Sequence, residues 1–413
     1  MIIKYDYKIL VKIIFNFLLL LFIYCNILCG EITFNPNIFI QEDSVLHIVR
    51  DKKIEDEFNK ITSGATLRRG CFIVSGEMGK FYKATLNYYS QFNFTQTDGT
   101  KINLSKGYLK CSLNNILFKI GQFGSIIGIE ANTGLPDYMF LEASNLTEAF
   151  LTKESFGFQC KYFLKGKILP FFESFFNISC VFALNNINNN VAIEYNDKNF
   201  LMVKSVFLLV NNEKISVHFG FNFQYANNHT TPLIVDTSIE CRGRNYNINR
   251  SHMGTGDTKL STFSSIYGIE GIFILNNFSI QSEFFYNFIT WEFPLDPSVY
   301  KGFYFQAGYL LTGEKRMYVM ESGSMSNPFC NKMYGAIELA CRFTFVDMHK
   351  PDDIVVFPKT GRTSSFTFGI NWFVNSNFKI QLNYINSDFM FNDEESTRCC
   401  KYNSLGSRLQ FSI

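Results

Sequence analysis

The sequence predicts an all-β fold, a transmembrane antiparallel up-and-down β-barrel with short turns at one rim and long loops at the other. Three observations predict it. Apolar and polar residues alternate with a period of two in segment after segment. The apolar faces of these segments are crowded with rings: aromatics make up 17% of the 413 residues, with 47 Phe, 21 Tyr and 2 Trp. Beyond the N-terminus, no stretch reaches the ~18 continuous apolar residues of a membrane helix. A membrane crossing by this chain therefore needs strands, and strands can cross only as a closed barrel.

The elements follow in order. Residues 1–30 read as an export signal: Lys4, Lys8 and Lys12 precede the apolar run Ile13 to Ile23, and the small residues Cys29 and Gly30 follow it. An uncleaved N-terminal anchor is the alternative for this segment. Residues 31–63 read as a weakly patterned lead-in (a periplasmic arm, an early strand or a disordered segment), and residues 64–413 as the barrel. In Val217 to Tyr225, Val217, Phe219, Phe221, Phe223 and Tyr225 share one face; His218, Gly220, Asn222 and Gln224 share the other. Ile337, Leu339, Cys341, Phe343 and Phe345 repeat the pattern against Glu338, Arg342 and Thr344. Phe366 to Trp372, Ile380 to Tyr384 and Leu409 to Ile413 repeat it again.

A soluble β-sandwich also alternates. Two features favour the barrel. The polar faces carry charges and amides, which suits a wall with lipid outside and water inside. The connections also differ in length. Glu77-Met78-Gly79-Lys80, Asn211-Asn212-Glu213, Asn276-Asn277 and Asn375-Ser376-Asn377 read as tight turns, whereas Thr230 to Leu260, Glu321 to Met333 and Met348 to Arg362 read as long loops. Short turns on the periplasmic side and long loops on the extracellular side are the arrangement of bacterial outer-membrane barrels. Asp137 to Phe150 has room for a short helix within a loop.

Composition excludes several classes. Lys4, Lys8, Lys12 and Asp6 carry the whole net charge of +2, so residues 31–413 are neutral and no nucleic-acid partner is expected. Of the 11 Cys, Cys25 and Cys29 fall in the export signal. The other nine are scattered, without a CxxC or a Cys/His spacing, so no metal or other cofactor is expected. Isolated Cys such as Cys160, Cys180 and Cys341 read as small apolar strand residues. No phosphate-binding loop motif is present. Ser216 and His218 share a face, but no acid nearby in sequence orients them, and the chain does not read as an enzyme.

In a water-filled barrel, selectivity comes from inward charges and constricting loops. Alternation turns Arg69, Lys119, Arg342, Lys379 and Arg408 inward. The Ser238 to Leu260 stretch carries Arg242, Arg244, Arg250 and Lys259 against Glu240 and Asp257, and could fold inward as a constriction. These eight Arg and Lys residues (Arg69, Lys119, Arg242, Arg244, Arg250, Arg342, Lys379, Arg408) are the pore-lining or anion-attracting candidates. The alternative is pairing within the wall, as of Arg342 with Glu338, with inward Glu270 and Glu283 offsetting the field.

Four stretches resemble one known family. They are Leu67-Arg68-Arg69-Gly70 with Gly76 to Lys80; Ile120 to Gly128 with Phe140-Leu-Glu142 and Glu148-Ala-Phe150; Leu311 to Arg316; and Gly335 to Arg342 with Gly369 to Asn375 and Leu382-Asn-Tyr384. Together, in this order, they resemble the phosphate-selective porin O and P family over nearly the whole chain beyond residue 66. The resemblance implies a barrel of about sixteen strands. It also implies a homotrimer in the bacterial outer membrane, with lipid outside and small hydrophilic solutes or anions passing by diffusion. A surface adhesin or structural barrel without a conducting lumen is the other function in view. Two positions depart from the family pattern: Cys71 stands where a further Arg is usual, and the chain ends in Ile413 rather than Phe. The family's ladder of inward arginines is not evident in the sequence.

Overall fold

The computed structural model describes residues 32–413 except 50–62, 82, 96–100, 152–153, 170–171, 187–197, 229–234, 243–252, 255–260, 293–294, 331, 350–359 and 392–397. Sixteen strands close into one antiparallel barrel. They are β1 (Asn35–Val49), β2 (Gly64–Phe81), β3 (Ala84–Thr95), β4 (Lys101–Leu113), β5 (Ile116–Phe123), β6 (Ser155–Leu169), β7 (Phe172–Asn186), β8 (Lys198–Asn211) and β9 (Ile215–Asn228), then β12 (Ser261–Leu275), β13 (Phe278–Trp291), β14 (Ser298–Leu310), β17 (Ala336–Asp347), β18 (Gly361–Phe373), β19 (Phe378–Phe391) and β20 (Arg398–Ser412). Each pairs with its neighbour in the chain. β1 then pairs with β20, from Phe39↔Ser412 to Val49↔Tyr402, which closes the cylinder. Two small hairpins sit in connections: β10 (Asp236–Thr237) with β11 (Met253–Gly254), and β15 (Met317–Val319) with β16 (Ser324–Ser326).

Alternation decides which face meets lipid. On β9, Phe219, Phe221 and Tyr225 are exposed, while Ser216, His218, Asn222 and Gln224 are buried in the lumen. A globular core would show the reverse. The outer rings also touch each other, as in Phe366 against Phe368 with centroids 4.5 Å apart; such pairs contribute about 0.5–1.5 kcal/mol beyond area burial. A 14-residue strand such as β9, at about 3.4 Å per residue and tilted by about 45°, crosses roughly 30 Å of membrane.

The turns obey local chemistry. Asn114 (β4 to β5) and Asn276 (β12 to β13) both have φ of 50°, a left-handed conformation that Asn tolerates and tight hairpins require. Three expectations need correction. Glu77 to Lys80 is no turn: it lies inside β2, where the register shifts between Glu77 and Gly79, and the chain reverses only after Phe81. The barrel begins before residue 64, because Asn35–Val49 pairs with both β2 and β20. The Glu321 to Met333 connection joins β14 to β17. It therefore lies at the rim of the short turns, not that of the loops. Its length suggested the wrong rim, because strand parity, not length, assigns a connection to a rim. The 1–30 segment lies outside the described residues.

Candidate functional site: a lumen filled from both rims

Three connections fold into the barrel. The first joins β5 to β6 and holds α1 (Ile129–Asn132), a 3-10 turn (Leu135–Asp137) and α2 (Asn145–Phe150). Ser144 caps α2, its hydroxyl accepting from the Thr147 N–H. The second is the β9–β12 connection, whose Ser238, Glu240 and Cys241 are buried. The third is the β14–β17 connection with its β15–β16 hairpin, entering from the opposite rim. Asn327 donates from its backbone N–H to Asp137 Oδ1 at 2.9 Å, so the first and third connections meet.

The first connection is clamped to the wall of β8, β9 and β13. Glu283 accepts the backbone N–H groups of Ile129 (2.6 Å) and Glu130 (3.1 Å), and Lys204 donates to the Gly128 carbonyl. Gly128 has φ of 80°, and a Cβ there would lie 2.5 Å from Leu151 Cδ1, so both conformation and space demand glycine. Glu270, buried nearby, takes Lys204 at 2.8 Å and His218 at 3.0 Å. His218 also meets the Tyr318 hydroxyl of the hairpin at 2.8 Å. Ser216 donates to Asn211 rather than to His218.

On the β17–β20 wall, cations are spent on carboxylates. Arg316 forks onto Glu338 at 2.6 and 2.7 Å. Arg342 meets Glu130 (3.1 Å) and Glu240 (2.7 Å) and lies over the Phe140 ring. Arg408 forks onto Asp43 at 2.6 and 2.7 Å and reaches Glu142 at 3.2 Å. Lys379 donates to the Tyr138 carbonyl at 2.6 Å. The expected Arg342–Glu338 pair does not form. Both point inward from β17, but four residues of strand separate them by roughly 13 Å. Each finds a partner on an inserted connection instead.

The wall of β2 to β5 differs: most of its described inward side chains are only half-buried. Near the loop rim, Glu142 gathers Arg68 (2.6 Å), Arg408 (3.2 Å), Arg69 (3.6 Å) and Arg242 (3.6 Å). Burial pushes the Glu142 carboxyl up, but Arg68, Arg242 and Arg69 outweigh it and hold the group well below the usual carboxylate range. Arg242 also meets Glu148 at 3.3 Å. Deeper in, Tyr89 and Tyr108 stack at 5.0 Å, and the Lys119 ammonium sits 4.7 Å from the Tyr108 centroid and 5.3 Å from that of Phe123. Lys110 meets Glu321 of the hairpin at 3.0 Å. A cavity of about 450 Å³ opens here, lined by Asn35, Ser75, Glu77, Asn87, Tyr108 and Lys110 among others. Arg68, Arg69, Arg242 and Lys110 keep 14%, 20%, 21% and 23% of their side-chain surface exposed, against 0–1% for Arg316, Arg342 and Arg408.

Six of the eight sequence candidates are thus in view, and they divide. Arg69, Lys119 and Arg242 border the half-open side, whereas Arg342, Lys379 and Arg408 are buried in the filled side. Arg244 and Arg250 lie outside the described residues. Sequence reasoning missed Arg68, Lys106 and Lys110. Register shifts at Gln41/Glu42 and Gln91/Phe92 break the alternation around the first two. Lys110, between Leu109 and Cys111, was open to the same reading as Lys119.

The family model for phosphate-selective porin O and P matches residues 49–413. The chain belongs to that family. Porin O of Pseudomonas aeruginosa is 31% identical over 133 residues, a match that spans 29% of each chain. Among solved structures, OmpT of Vibrio cholerae covers 94% of this porin-family chain and 99% of its own at 9% identity, with a TM-score of 0.56. An anion-selective porin from Comamonas acidovorans covers 93% and 100% at 8% identity, with a TM-score of 0.55. At these identities the likeness is one of fold, and the fold is that of an outer-membrane porin.

Proposed function

We propose that the protein is an outer-membrane diffusion channel that favours small anions, inorganic phosphate among them, and that solutes pass along the β2–β5 wall. The observation that carries this reading is the division of the cations. On the filled side, Arg316, Arg342 and Arg408 are consumed by carboxylates. On the half-open side, Lys106 and Lys119 have no carboxylate within salt-bridge distance among the described residues. An anion travelling this wall meets positive charge without a local counter-charge, the condition for anion preference. The guanidinium forks of Arg68, Arg69 and Arg242 suit phosphate oxygens, although Glu142 partly neutralises them.

The test is conductance of the folded protein in planar bilayers under a salt gradient, with chloride and then phosphate as the anion. Stepwise currents with an anion-selective reversal potential are expected; cation selectivity would overturn the reading. We also propose a homotrimer, in line with the trimer form of OmpT of Vibrio cholerae, and a cleaved leader of residues 1–30. Native mass measurement and N-terminal sequencing test these two. The filling of the lumen from both rims favours one second reading, a surface or structural barrel that does not conduct. Folded protein that gives no current steps would select it.

A further inference from the structure

Nine cysteines lie beyond residue 30, and the mechanism of passage uses none of them. Two are placed together. β6 and β7 pair so that Cys160 lies directly opposite Cys180. Both point outward, because their neighbours Gln159, Lys161, Ser179 and Val181 are buried on the lumen side. Cys160 is half-buried and Cys180 exposed, and both are free thiols. Opposed residues in an antiparallel ladder have Cα atoms about 4.5 or 5.5 Å apart, according to the type of pair. Both spacings fall within the window of about 4.4–6.8 Å that a disulfide needs.

The other described cysteines lack such a partner. Cys71 faces Phe39 and Asn93, Cys111 faces Leu86 and Phe118, and Cys341 faces Ala307 and Phe368. Cys399 and Cys400 face Met390 and Phe389. An outer-membrane chain also traverses an oxidising compartment before it inserts.

We propose that Cys160 and Cys180 form a cross-strand disulfide on the outer face of the barrel, made by exchange with a dithiol oxidase of the periplasm. The Cys160 thiolate attacks one sulfur of the oxidase disulfide, and the second oxidase sulfur leaves as a thiolate. The Cys180 thiolate then attacks the Cys160 sulfur of the mixed disulfide and expels the first oxidase sulfur. One S–S bond forms in the barrel and one breaks in the oxidase. The oxidase keeps the two electrons as a dithiol, and the two thiol protons pass to it through water.

The bond has a structural use. The β6–β7 register is regular around the pair but shifts at both ends, between Phe156 and Gly157 and between Gly166 and Leu169. A one-residue slip would turn every side chain of the strand to the other face, placing Lys161 against lipid. A covalent link between Cys160 and Cys180 excludes that slip. The proposal rests on passage through the periplasm and not on conduction, so the bilayer result does not bear on it.

The experiment is disulfide mapping of the full-length protein taken from outer membranes, with an alkylating agent present and no reductant. A Cys160 peptide joined to the Cys180 peptide, two hydrogens lighter than the sum and separable by reductant, is the expected result. Alkylation of both thiols would overturn the proposal, as would a link from either one to another cysteine or to a neighbouring subunit. Cys160→Ser should leave Cys180 newly alkylatable in a barrel that keeps its heat-modifiable gel mobility. If that variant does not fold, reduction of the wild-type barrel supplies the second readout: its unfolding temperature should fall, and an unchanged one would count against the bond.

Discussion

Replacing Lys119 by Gln tests the passage most directly. Lys119 contacts no carboxylate among the described residues, and its ammonium sits 4.7 Å from the Tyr108 centroid, on the half-open side. Gln keeps a polar group on that ring and removes only the charge. An anion passing about 6 Å away gains about 0.7 kcal/mol from a unit charge in bulk water and about 2.8 kcal/mol at an effective dielectric of 20. A hydrated lumen lies near the first figure, so about 1 kcal/mol is a reasonable central value, or roughly fivefold in local anion concentration. At 0.1 M salt the screening length of about 10 Å trims this, and at 1 M, where it is about 3 Å, little survives. The variant should therefore lose roughly three- to fivefold in anion-over-cation permeability at 0.1 M and little at 1 M. Reversal potentials in planar bilayers measure both. A folded Lys119→Gln barrel with an unchanged reversal potential at 0.1 M would refute the assignment of the passage to this wall.

Other perturbations address the inserted connections. Glu142→Gln leaves Arg68 and Arg69 without their carboxylate and should destabilise the constriction by about 3 kcal/mol, the lower end for a broken buried pair; noisier single-channel current would report it. Because the Glu142 carboxyl is held below its ordinary value of 4.5, its stabilisation is complete above that value and lost as pH falls through the depressed one. Current should thus stay quiet from neutral pH to 4.5 and flicker only in stronger acid. Gly128→Ala forces a left-handed alanine and a 2.5 Å contact, which should cost at least about 1–2 kcal/mol and lower the temperature of the gel-mobility shift. Arg316→Ala strands buried Glu338 and should cost about 3–5 kcal/mol in denaturant unfolding, whereas Arg316→Met with Glu338→Leu should recover most of it.

What the sequence disclosed follows from the range of each interaction. Val217 to Tyr225 and Ala336 to Phe345 are strands by local alternation, and Asn276-Asn277 is a turn by local dihedral preference; both could be read from neighbours in the chain. The Asp43–Arg408 pair joins residues 365 apart and has no local trace. The rim of the 311–335 connection was open to strand counting, but that count failed at its start, because β1 reads as weakly patterned with Glu42 and Ser44 on its outer face. Bulges hid Arg68 and Lys106 in the same way, since one extra residue exchanges inside for outside. The anion-lining cations were therefore half-legible. Their orientation was accessible strand by strand, but whether an inward charge was free or spent depended on connections that fold back from distant parts of the chain.

The first and last strands meet along β1 and β20, where a polypeptide of this topology must finish its circle. Across that join Gln41 bonds Gln410 and Asp43 holds Arg408, and Glu142, from the constricting loop, reaches both Arg408 on β20 and Arg68 on β2. The narrowing of the channel and the shutting of the cylinder thus share one set of charges. A chain whose constriction is missing has also lost a clasp across its final joint, so defects in solute sieving and failures of late assembly should arise from the same residues.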